Sequence, residues 1–318
     1  EEAISLEYYV KAGERASRAY ANPEAERHFL AVLDLVEAGP ERARLLGELA
    51  LVLSRLGKFG LAIEKWLEGI ELYRALGAQE SMARYYARAS RAAWEAGDVP
   101  RGLALGKEGM QALDGAPESQ GLADLYHEAG RAYYFNGLAG EALPILTRSL
   151  EMAEKTGALA VQVEALISLG TAGASTSLTS LQECIWSLEQ AVELARSHGL
   201  PDQESRALNN LAVTDTHYVG DLSRTREHMQ RAQELARSTG SVGIALFYGS
   251  AACFYSLLQG DLTWASERLS TLGEAQRELP TAITSGLNVQ ASQGMLLRQA
   301  GRLEEGLEHL RQLNQAGR

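Results

Sequence analysis

Apolar residues recur at steps of three and four along most of this chain. Ala62, Trp66, Ile70, Tyr73 and Leu76 form one such series, and Leu143, Leu146, Leu150 and Ala153 another. That spacing gathers side chains on one face of an α-helix, which can be buried while the opposite face meets water. Sustained alternation of β-branched residues is missing. Asp114-Gly115 and Asn136-Gly137, dipeptides that could turn a β-hairpin, therefore read as helix ends.

Glycine punctuates the helices in two interleaved series. Gly57, Gly97 and Gly137 stand 40 residues apart, and Gly220, Gly260 and Gly301 follow at 40 and 41. The gap of 83 between Gly137 and Gly220 is two periods with a short insertion. Gly77, Gly115, Gly157, Gly199 and Gly240 are spaced by 38, 42, 42 and 41. Glycine takes the left-handed conformation that ends a helix without a side-chain penalty. The pattern predicts eight helical hairpins, over 1–38, 39–77, 78–116, 117–157, 158–200, 201–240, 241–280 and 281–318. Stacked side by side they make an all-α, right-handed superhelical solenoid, a single domain over 1–318.

Small residues stand where neighbouring helices would touch. The first hairpin has Ala12-Gly13, then Ala25 and Phe29, and the second has Leu49-Ala50, Gly57, Ala62 and Trp66. The fourth has Ala129-Gly130, Tyr133-Tyr134, Gly137 and Ala142, and the fifth Leu169-Gly170, then Leu188 and Ala191. The pattern resembles tetratricopeptide repeats over nearly the whole chain, departing at Val32, where the family usually has alanine and looser packing is expected. Against the family period of about 34 residues, the excess of about six adds roughly one turn to the two helices together. Ala12-Gly13-Glu14-Arg15-Ala16, with Tyr20-Ala21, Glu24-Ala25 and Ala31 through Leu35, is similar to the start of the superhelical region in MalT-type regulators, the large ATPase-coupled LuxR-type activators and class III cyclases. This resemblance implies a module that receives an inducer or partner and controls an ATPase switch. It also implies a fragment of a larger protein, with an ATPase-type domain upstream. No GxxxxGK[ST] or helix-turn-helix is present in the sequence, so neither nucleotide switching nor DNA binding is assigned to it. A stand-alone tetratricopeptide scaffold mediating protein–protein interaction is the alternative.

Composition narrows the partners. With 30 Lys+Arg against 41 Asp+Glu, the net charge of −11 disfavours a uniform phosphate-binding surface, so no direct nucleic-acid contact is expected. No run of about 18 apolar residues predicts a membrane span, and no secretion signal opens the sequence. A cytoplasmic location is expected. Ile4, Leu6, Tyr8, Tyr9 and Val10 make the first helix apolar nearly all round, which points to a preceding domain, to self-association, or to a helix that wraps its own hairpin. Near 303–313, Leu303, Leu307 and Leu310 form a stripe, with Glu304, Glu305, Glu308, Arg311 and Gln312 opposite it.

Two stretches break the helical pattern. Gly102, Gly106 and Gly109 share one helix face, where each costs about 1 kcal/mol against alanine. A closely packed neighbour is expected there, with a hinge as the alternative. The Ser/Thr-rich insertion at 171–180 is expected to be a surface loop, with ligand contact as its alternative.

Chemistry is sparse. The six histidines lack a second His or Cys three to five residues away, and no GxSxG or HExxH occurs. Neither cofactor nor metal is expected, and the chain reads as a non-enzyme. Binding has better candidates. Positions aligned on the glycines place Arg84, Ala87, Arg91, Trp94 and Glu95, then Asp124, His127, Arg131, Tyr134 and Phe135, on the concave face. Asn210, Thr214, His217 and Tyr218 follow, then Phe247, Phe254 and Leu257. Guanidinium forks beside aromatic planes suit a protein or peptide segment, or a small effector. Arg91 and Arg131 are expected to serve binding more than stability. The same rings can equally be core, since one residue of register error turns a side chain about 100° around the helix.

Overall fold

The computed structural model describes residues 2–176, 178–278 and 292–316, so the expected boundary between the last two hairpins lies outside the described residues. Helices α1 (Glu2–Arg18) and α2 (Asn22–Leu33) are followed by α3 (Pro40–Arg55), α4 (Phe59–Ala75), α5 (Gln79–Glu95) and α6 (Val99–Ala112). Next come α7 (Gln120–Phe135), α8 (Ala139–Thr156), α9 (Leu159–Ala174) and α10 (Leu181–Ser197). α11 (Pro201–Thr214) runs into a π-helical turn, Asp215–Val219, before α12 (Leu222–Ser238), α13 (Val242–Leu258) and α14 (Leu262–Glu278). A helical stretch at 292–299, α15, precedes α16 (Leu303–Ala316). There is no strand among the described residues. None of these helices is long and apolar enough to cross a membrane.

All eleven glycines of the two series have positive φ, between 65° and 81°. At Gly57 the closure is a Schellman motif: the Gly57 N–H donates to the Ser54 carbonyl and the Lys58 N–H to Leu53, both at 2.9 Å. The same pair recurs after α5, from Gly97 to Trp94 and from Asp98 to Ala93. Some helix ends do without glycine, among them those of α1 and α9. Tyr20 takes φ 56° after α1, with the Arg55 guanidinium 5.3 Å from its ring centre. After α9 the Ser175 and Thr176 hydroxyls donate to the carbonyls of Ala172 and Gly173, at 2.8 and 3.0 Å.

The chain divides into two compact units, Glu1–Leu178 and Thr179–Arg318, with the division inside the Ser/Thr-rich insertion. In the first unit, successive helices pack as antiparallel neighbours, and α7 also lies against α5 and α9, the first helices of the hairpins on either side. Its core holds Phe29, Val32, Leu45, Leu49, Ile63 and Trp66 at one end and Ile70, Tyr86, Leu122, Leu125 and Met152 further along. Val32, where the repeat pattern departs, is fully buried within this core. Tyr85 reaches across α3 and donates to the Ala43 carbonyl at 2.8 Å, its ring lying over Gly47 and Gly69.

The three glycines of α6 explain its position. A Cβ on Gly102 would stand 3.0 Å from the Ser90 carbonyl, one on Gly106 3.0 Å from the Ala129 backbone, and one on Gly109 2.8 Å from Tyr86. α6 is thus pressed against both α5 and α7, as its sequence requires. α1 packs on α2, where His28 meets the rings of Tyr8 and Tyr9, while Tyr8 itself is largely exposed. The side chains of Ile4 and Leu6 lie outside the described residues.

In the second unit α10 through α14 pack in sequence. Leu246, Cys253, Leu257, Ala265, Leu269 and Leu272 form a core between α13 and α14. Burial pushes the Cys253 thiol up to about 12, which keeps it protonated and unreactive. On α16, Leu303 and Leu307 are exposed, and Gly306 is the buried contact, set against the Gly294 carbonyl. The side chains of Leu310 and Gln312 lie outside the described residues.

The turn glycines and the helix glycines should respond oppositely to a methyl group. Gly97→Ala forces a left-handed alanine and is expected to cost about 1 kcal/mol. Gly60→Ala, in the first turn of α4 with open space around it, should gain up to about 1 kcal/mol. Urea unfolding midpoints of the two variants check both signs.

Candidate functional site

Three first helices of the first unit build an open face. On α5, Arg84, Arg88, Arg91 and Glu95 follow at steps of four, three and four, one stripe along the helix. Ala87, expected on this face, is instead buried in the core; Arg88, which the alignment passed over, lies on the face and is exposed. A cleft of about 260 Å³ opens between Arg84 and Arg88 on α5, Gln120 and Asp124 on α7, and the start of α9 from Gly157 to Val161. A second, of about 210 Å³, has Arg55, Trp66, Arg88, Arg91 and Glu95 in its walls. Arg88 borders both. The end of α9 and the insertion after it line neither cleft.

Charge is distributed unevenly over these arginines. Glu128, only 5% exposed, receives Arg131 Nη1 at 2.8 Å and Arg91 Nη1 at 3.3 Å, with His127 Nδ1 3.5 Å away. Burial pushes its carboxyl up, but Arg131, His127 and Arg91 outweigh that and hold it well below the usual carboxylate range. Arg91 also donates to Glu95, and the Glu128 charge raises its own proton affinity. Arg84 is held by Glu80, whose carboxylate also accepts the Gly121 N–H at 3.1 Å and so closes the first turn of α7. Arg88 makes no hydrogen bond or ion pair among the described residues. It is the free cation of the face.

Asp124 has the opposite perturbation. Burial and then the Glu128 charge raise its carboxyl to about 6, against the pull of Arg88, Arg91 and Arg84. The ligand atoms of Asp124, His127 and Glu128 lie within 4.8 Å of one another, a grouping that could suit a cation. Here the guanidiniums of Arg91 and Arg131 already neutralise Glu128, and His127 Nε2 meets Ser168 Oγ at 3.1 Å.

His127 is 1% exposed and stands inside the helix stack, not on the open face. Trp94 is half-buried, tilted against Phe135 at 5.0 Å, with the Arg131 guanidinium 4.9 Å from its ring centre. Tyr134 adjoins Phe135 at 5.2 Å. Arg131 is thereby clamped between Glu128 and two rings, which makes it a packing element more than an open donor.

The remaining candidates belong to the second unit. Asn210 donates to the Arg206 carbonyl at 2.8 Å, and buried Thr214 donates to the Asn210 carbonyl at 3.0 Å. His217 and Tyr218 are exposed on the π-helical turn. Leu257 is fully buried, while Phe247 and Phe254 are partly so. Asp215, at the start of that turn, is fully buried with His228 Nδ1 3.0 Å and Arg224 Nε 3.8 Å from its carboxylate. Nothing in the sequence pattern marks that buried carboxylate.

The hairpin architecture is that of tetratricopeptide-like repeat proteins. No protein-family model and no curated protein matches the sequence. Among solved structures, the apo form of RapI is similar with a TM-score of 0.66 and 14% identity, over 86% of this chain and 98% of that one. A Rap protein complexed with Competence and Sporulation Factor is similar at 0.59 and 14%, over 99% and 97%. The third is a signal-transduction ATPase with numerous domains and a tetratricopeptide repeat sensor, PH0952 from Pyrococcus horikoshii. It is similar at 0.62 and 16%, over 99% of this chain and 48% of that one. At these identities the likeness is one of fold.

Two stability measurements separate the roles. Arg131→Ala leaves Glu128 with weaker compensation and is expected to cost about 3 kcal/mol, whereas Arg88→Ala should stay within about 0.5 kcal/mol; urea unfolding distinguishes them. Asp124 supplies a pH signature. Folded, it keeps its proton up to about 6, while an unperturbed aspartate releases it near 3.8, so the folded state binds more protons between those values. Its contribution to stability therefore falls as pH rises through that window and is level above it. Asp124→Asn should raise the unfolding midpoint more above pH 6 than below pH 4.

Proposed function

We propose that this chain is a non-catalytic binding module that takes an extended peptide or protein segment along the arginine-bearing face of its first unit. The observation that carries the reading is Arg88: an exposed guanidinium, bordering two clefts, without a hydrogen-bond or ion-pair partner among the described residues. A guanidinium that no acceptor of its own chain engages is a donor available to an acceptor from outside. Leu51 and Trp66, in the wall of the second cleft, add apolar area to it.

The wider role follows the same line. In this reading the chain is the effector- or partner-sensing part of a bacterial signalling ATPase or transcription regulator. The reading is supported by a structural neighbour that joins such a repeat sensor to an ATPase, and by another of this fold in complex with Competence and Sporulation Factor. Arg91 and Arg131 then hold the face together, while Arg88 and Arg84 meet the partner.

Selection of randomised displayed peptides on the immobilised protein tests it. Enriched sequences should carry acidic residues and lose about tenfold or more in affinity on Arg88→Ala, the worth of one charge-assisted hydrogen bond. Enriched peptides that bind Arg88→Ala as well as the natural chain would remove the reading.

A further inference from the structure

We propose that the cleft between α5, α7 and the start of α9 binds a free α-amino acid, its carboxylate held by Arg84, Arg88 and the first turn of α9 and its ammonium by Asp124. The proposal uses the open face on which the segment-binding reading rests, and adds a small ligand of defined chemistry.

Both signs of charge meet in this one cleft. A plain anion would find the Asp124 carboxylate against it, and a plain cation would face two guanidiniums. A ligand with both charges, a few bonds apart, satisfies both walls. Arg84 is oriented by Glu80 at 2.9 Å, and Arg88 has no internal acceptor among the described residues. Asp124 makes no hydrogen bond among the described residues, although its surroundings penalise a lone charge; an ammonium supplies what it lacks.

The backbone contributes to the same end of the cleft. The residue before α9 is Ala158, which provides no side-chain cap; the Leu159 N–H turns back to the Gly157 carbonyl at 2.9 Å, and the Ala160 and Val161 N–H groups of this 16-residue helix are left for an outside acceptor. A carboxylate placed between them and two guanidiniums is favoured by the hydrogen bonds and by the helix dipole. Leu159 and Val161 give the rim an apolar side, suited to an aliphatic side chain. Its volume of about 260 Å³ lies below the range of about 300–1,000 Å³ for drug-sized ligands, which limits the occupant to a small molecule.

The test uses the whole chain. Each proteinogenic L-amino acid is added in turn in a thermal-shift assay, and the best is measured by calorimetry beside its N-acetylated and its carboxamide forms. The proposal expects one or a few amino acids to bind, with both blocked forms weaker by about tenfold or more. Arg88→Ala should weaken the free amino acid by a similar factor, and Asp124→Asn should abolish the preference for it over the N-acetylated form. Equal binding of the free and N-acetylated forms, no binding by any amino acid, or binding indifferent to Arg88→Ala would overturn it. The outcome is separate from that of peptide selection: peptides that depend on Arg88 without any amino-acid binding remove this site alone, and the reverse removes the segment reading alone.

Discussion

Helices in the first unit meet at glycines that leave room for the facing backbone or side chain, and the rest of that unit depends on it. Gly106 lies on Ala129, Gly109 on Tyr86, Gly121 on the Glu80 carbonyl and Gly130 on Leu146, each too close for a methyl group to fit without movement. Every glycine inside a helix costs about 1 kcal/mol in propensity. Dense packing of the facing helices offsets that cost, because dispersion falls away within an ångström of optimal contact. The approach draws α5 and α7 together, encloses Glu128 and fixes how far Arg84 and Arg88 stand from Asp124.

Enclosure then sorts the arginines. A buried carboxylate is tolerated only with strong compensation, and Glu128 takes two guanidiniums to obtain it. Glu80 takes a third, in closing the start of α7. What remains on the face is Arg88, beside an aspartate whose charge is poorly compensated. A chain of net charge −11 thus presents a local site with a spare cation, and the site's character comes from the pairing, not from the total.

The repeat was legible because its signal is local. A helix that ends on a left-handed residue demands glycine whatever surrounds it, and all eleven positions in the two series have that conformation. The α6 glycines were legible for a similar reason, since nothing but a close neighbour justifies three of them on one face. Tyr20 and the hydroxyl-closed end of α9 were not, because their strain or capping depends on neighbours such as Arg55. At the site, one residue of register separates buried Ala87 from exposed Arg88, and the Arg84–Arg88–Arg91 spacing was a cue to the stripe that alignment on the glycines passed over. Glu128 resembled any solvated glutamate. Its burial is set by helices nearly forty residues apart in sequence, which no local pattern reports.

The division between a paired, structural carboxylate and a poorly compensated one beside the free arginine can be read directly by carbon-13 NMR of the side-chain carboxyls during a pH titration. Asp124 is expected to take up its proton near 6, and Glu128 to stay ionised throughout the ordinary carboxylate range. If both titrate together as surface carboxylates do, the enclosure of Glu128 between α5 and α7 is wrong, and the sorting of arginines built on it fails.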